Sequence, residues 1–144
     1  MVAALALAAA QAATLFNCTV SAPVVVSPSG LTSMSGIPDS ALRFDMELSE
    51  REIVITWPNS PVQLNGRTAW FSTGDSIGSA FFVNPGPCLM TETACGSAVS
   101  FAHQPDHSVV LQIQPTAFLT EQNGAKRPFA VLVNGTCTPR GAHT

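Results

Sequence analysis

The chain has 144 residues, of which 6 are basic and 9 acidic, for a net charge of -3. Lys126 is its only lysine, so the clustered basic face that nucleic acid or an anionic membrane surface would require is missing. The length suits one domain that buries a core of its own, and no internal repeat is present.

Taken in chain order, residues Val2 to Ala10 form an apolar run, and Ala10, Gln11 and Ala12 follow in the small, any, small pattern that a signal peptidase accepts. The expectation is a signal peptide over 1–12 and a single all-β domain over 13–144. No Lys or Arg precedes the run, and it is well short of the ~20 apolar residues of a membrane-spanning helix. The positive mean hydropathy of +0.28 owes much to this leader.

After the leader the dominant period is two, punctuated by Pro, Gly, Asn and Asp. Thr14 to Val20 and Val24 to Val26 read as the first strands, with Phe16, Cys18 and Val20 on one face. Leu42 to Leu48 alternates cleanly, placing Leu42, Phe44, Met46 and Leu48 opposite Arg43, Asp45 and Glu47. Glu52 to Trp57 returns with Ile53, Ile55 and Trp57 inward. Val62 to Leu64, Asn65-Gly66 and Thr68 to Ser72 read as a second hairpin, because Asn-Gly tolerates the positive φ of a tight turn. Ser79 to Val83 is nearly all apolar and is expected to be covered on both faces. Ala98 to Ala102 and Val109 to Gln114 form a third hairpin around Pro105 and Asp106. Thr116 to Gln122 reads as a helical turn, and Pro128 to Cys137 as the last strand, with a bulge at Asn134-Gly135.

About eight to ten short strands with adjacent hairpins predict a small antiparallel β-barrel or a strongly curled β-sandwich, since a sheet of that many strands folds on itself or closes. Cys18, Cys88, Cys95 and Cys137 behind an export leader read as disulfides, and four cysteines allow three pairings. The expected set joins Cys18 to Cys137 across the chain ends and Cys88 to Cys95 around Pro85, Gly86 and Pro87. Loop entropy assigns about 5 kcal/mol to the long link and about 2.5 kcal/mol to the short one.

Several strings imitate chemistry. Cys88, Cys95, His103 and His107 pair two thiols with two imidazoles, but the six residues between the cysteines exceed zinc-site spacing. Gly74, Asp75, Ser76, Ile77 and Gly78 match a nucleophile elbow, yet that elbow needs a strand running into a helix within an α/β sheet. The string reads instead as a turn around Thr73, Gly74 and Asp75. Asn17 with Thr19 and Asn134 with Thr136 spell glycosylation sequons. No cofactor or metal motif is assigned.

The functional hint is aromatic. Trp70 beside Phe71 and Phe81 beside Phe82 put rings on both faces of their strands, and Trp57 stands at a strand end. Trp57, Trp70 and Phe82 are the candidate binding patch. Phe16 two residues before a first-strand cysteine, with Cys18 tied to Cys137, resembles the periplasmic lysozyme inhibitors in outline. That resemblance covers the chain ends only, and the tyrosine loop of that family has no counterpart in a chain without tyrosine. The expected function is that of an exported, periplasmic or secreted, non-enzymatic domain. It would bind a small ligand or an envelope protein through a barrel mouth or an aromatic face. The alternatives are a structural subunit that pairs through a free strand edge and a serine hydrolase using Ser76.

Overall fold

A computed structural model describes residues 13–87 and 94–141. The predicted leader and Cys88 lie outside the described residues, so the expected Cys88–Cys95 link does too. Eight antiparallel strands close a barrel in the order β1 (Thr14–Val20), β4 (Arg43–Leu48), β5 (Glu52–Thr56), β6 (Gly66–Gly74), β7 (Ile77–Pro87), β8 (Ala94–His103), β9 (Val109–Pro115) and β12 (Ala130–Pro139). Pairing of β12 with β1 shuts the ring. β2 (Val24–Ser27) pairs with the start of β12 and carries β3 (Gly30–Ser33) outward as a flap.

Closure follows from the alternation. Phe16, Cys18 and Val20 of β1, Phe44, Met46 and Leu48 of β4, and Ile53 and Ile55 of β5 all turn inward. They meet Val99 and Phe101 of β8, Val109, Leu111 and Ile113 of β9, and Val131 and Val133 of β12 in one apolar cluster. Eight strands leave an interior just wide enough for such side chains to fill. Cys18 and Cys137 are register partners across β1 and β12, and their sulfurs are bonded with the Cα atoms 4.0 Å apart. The link between the chain ends is therefore a rung of the closing strand pair.

The segment 57–65 is no strand. Its alternating Val62 and Leu64 are buried under one end of the barrel beside Trp57, and Ser60 Oγ accepts the backbone N–H groups of Val62 and Leu64. Asn65 serves as a side-chain acceptor for the Trp57 N–H at 2.7 Å rather than as a hairpin turn. The period of two at 62–64 thus reported burial parity without a pairing partner. β6 instead pairs with β5 and, through a tight turn at Asp75 and Ser76, with β7.

Two further expectations give way. Within 116–122 the chain forms β10 (Phe118–Thr120), paired with β11 (Lys126–Pro128). Asn123 and Gly124, with φ 83° at the glycine, shape the turn between them, and a single isolated helical turn has too few hydrogen bonds to compete. At Asn134-Gly135 the register of β12 runs unbroken against both β9 and β1, so no bulge forms. Gly135 is needed for space, because a Cβ there would lie 2.6 Å from Val20 Cγ1.

Gly78 has the same role at the other end of the barrel. It faces inward beneath the edge-on pair of Trp70 and Phe101, whose ring centroids are 5.2 Å apart, and an added Cβ would overlap both rings. Gly78→Ala is expected to destabilise the protein by about 1–3 kcal/mol through overpacking. An unchanged urea midpoint would show that the two rings are free to move aside.

Candidate binding face on the outside of the barrel

The structure divides the three residues of the expected aromatic patch. Trp57 and Phe82 are 1% and 2% exposed and belong to the core, while Trp70 is partly buried at one mouth of the barrel. The parity is the reverse of the expectation: Phe71 and Phe81 are the outward rings, and β7 is covered on its inner face alone. Trp70-Phe71 and Phe81-Phe82 carry no hydropathy contrast, so only the direction of closure selects which ring of each pair is buried.

At that mouth Trp70 donates its indole N–H to Ser49 O at 2.8 Å and borders a recess of 220 Å³ with Phe16, Leu48, Glu50 and His103. An adjoining recess of 110 Å³ brings Ser76 next to His103. Ser76 occupies the turn at φ 59°, its carbonyl accepts the His103 N–H at 2.8 Å, and the His103 ring meets Phe101 edge-on. Among the described residues no hydrogen bond joins the Ser76 hydroxyl to an imidazole, and the one carboxylate with an electrostatic link to a histidine, Asp106, acts on His107 in the β8–β9 turn rather than on His103. A serine activated by a general base is ordinarily hydrogen-bonded to that base, which a third group orients. Both recesses are also below the ~300–1,000 Å³ of ordinary ligand pockets.

His107 sits in the β8–β9 turn at φ 70°. Beside it, the Ser108 hydroxyl and then the Ser108 backbone N–H donate to Asp106, which holds that carboxyl below its ordinary value. The resulting stabilisation is in place above the ordinary carboxylate range and is lost as the pH falls through the lowered value. Among the described residues no three metal-binding side chains gather, and Cys88 of the thiol–imidazole string lies outside them.

The outer wall has more to offer. Phe71, Ile77, Phe81 and Val83 stand 62%, 44%, 52% and 71% exposed on the neighbouring strands β6 and β7. Phe71 is the register partner of Ser79, so Ile77 and Phe81 occupy the two diagonal positions beside it. The Phe81 ring lies against Gly96 of β8, where a Cβ would come 2.6 Å from it. Ile77 also borders a groove of 790 Å³ that crosses the outward faces of β7, β8, β9, β12 and β1. Its outward polar residues are Thr19, Ser21, Ser100, Gln112, Asn134 and Thr136, and among the described residues no charged one lines it. Sequence reasoning found the ring pairs but chose the inward member of each, and it missed the groove, which is assembled from residues on five separate strands. No protein-family model matches the chain, and no curated protein matches it.

Proposed function

We propose that this protein is an exported, non-enzymatic binding domain that engages a protein partner in the cell envelope through the outer wall around Phe71 and Phe81. The observation that carries this reading is the cluster of Phe71, Ile77, Phe81 and Val83, left in water by a fold that has already buried its other large apolar side chains on these strands. Contiguous apolar exposure of this kind marks interaction sites. Rings that stand out from a strand pair suit a protein surface better than a small molecule, which needs a concavity to cover most of its area. The Cys18–Cys137 bond agrees with an oxidising compartment. Among the described residues no helix is long and apolar enough to cross a membrane.

The test places a photo-crosslinking phenylalanine analogue at Phe71 in the exporting cell. A discrete adduct is expected that Phe81→Ser abolishes and that the same analogue at Leu31, exposed on the distant β3 flap, does not form. An adduct of twice the chain mass would favour the assembly reading, for which β3 supplies the means: it pairs with β2 on one side, and all four of its residues are exposed. Absence of any adduct would overturn the proposal.

A further inference from the structure

We infer that the groove on the outer wall is a binding site for an uncharged, hydroxyl-rich chain, that is, a neutral oligosaccharide. Its hydrogen-bonding residues are distinct from the Phe81 patch; the groove shares Ile77 with that patch, and Phe71 stands beyond its lining at the end of one row.

The strand register lays two rows of outward side chains across the wall. One runs Thr19, Thr136, Val110, Ala102, Ile77, and the other Asn134, Gln112, Ser100, Ser79, Phe71. Neighbouring strands are about 4.8 Å apart, so the second row extends about 19 Å from amide to aromatic ring. Small side chains at Ala102 and Ser100 keep the floor low between Val110 and Ile77, leaving an open groove of 790 Å³ along the wall.

The chemistry of the lining selects the ligand. Among the described residues no charge lines the groove, and the first row meets one only where Arg43 on β4 lies opposite Thr19. Phosphates, carboxylates and polyamines would thus surrender their hydration without a countercharge. What the groove does offer is hydrogen bonding in both senses. Gln112 and Asn134 are register partners whose amides each present two N–H donors and a carbonyl acceptor. Neither side chain, nor the hydroxyls of Thr19 and Thr136, makes a hydrogen bond to another described residue, whereas Ser79 and Ser100 satisfy each other at 3.2 Å. Paired amides match adjacent hydroxyl groups, which donate and accept at once. At the end of the row the exposed Phe71 ring gives the apolar face of a sugar ring a surface to stack on.

The test is an NMR titration of the full exported chain with a panel of hexasaccharides at millimolar concentration. The panel contains neutral β-glucan, α-glucan, xylan and chitin fragments and an anionic uronic-acid fragment. At least one neutral probe is expected to shift the side-chain amide signals of Gln112 and Asn134, and the anionic probe to leave them in place. The double variant Gln112→Ala/Asn134→Ala should weaken that binding at least about tenfold, the loss of two or more hydrogen bonds. Both positions are exposed, so its melting temperature should match that of the parent. Three results would overturn the inference: no neutral probe moving these signals, the anionic probe binding as well, or the double variant binding as the parent does. The Phe71 crosslink requires neither amide, so it stands or falls separately.

Discussion

Replacing Cys18 and Cys137 together by alanine is expected to cost about 5 kcal/mol of unfolding free energy, because the bond closes a loop of 119 residues in the unfolded chain. That is comparable with the whole stability of a typical domain, about 5–15 kcal/mol. In the folded state the bond constrains little, since β1 and β12 are already paired over five register positions. Its weight therefore falls on the unfolded ensemble. Two readings of one urea titration check this: the midpoint should drop, and the slope should rise as the unlinked chain expands. Both sulfurs are buried, so alanine leaves a small cavity that adds to the loss. A variant within about 1 kcal/mol of the parent would mean that β1–β12 pairing already restrains the unfolded chain.

Trp57→Ala should be nearly as damaging, at about 3–5 kcal/mol. Trp57 closes one end of the barrel: its ring stacks on Phe44 with centroids 4.5 Å apart, and its indole N–H donates to Ala41 O at 2.9 Å. It thereby pins the 3-10 turn Asp39–Leu42, which leads into β4, against the end of β5. Trp57→Phe separates the two contributions. It keeps most of the apolar volume but leaves the buried Ala41 carbonyl without its partner, at about 1–3 kcal/mol. Phe71→Ser, on the outer wall, should stay within about 0.5 kcal/mol and is the control. Loss at Phe71 equal to that at Trp57 would invert the assignment of inner and outer faces.

The strands with polar–apolar contrast are legible in the residues themselves. Arg43, Asp45 and Glu47 set against Phe44, Met46 and Leu48 define both the strand and its buried face, and the β8–β9 hairpin announces itself at Pro105-Asp106. Where the contrast vanishes, so does the assignment. Phe81-Phe82 permits either ring to be inside, and the expected patch of Trp57, Trp70 and Phe82 holds two core residues. Asn65-Gly66 misleads for a related reason: the same dipeptide that suits a hairpin turn here supplies a side-chain acceptor for Trp57 and then opens β6.

The sequence by itself determined the all-β class and the alternation of the principal strands, because each is encoded by neighbours, whereas the choice of Cys137 as the partner of Cys18 among three possible pairings came from the β1–β12 register. Only the tertiary structure decided which aromatic faces water, that 62–64 plugs the barrel and that the groove exists. Those properties depend on the register of strands far apart in the chain. Thr19, Val110 and Asn134 lie on different strands, and no local pattern records that closure sets them side by side on one wall.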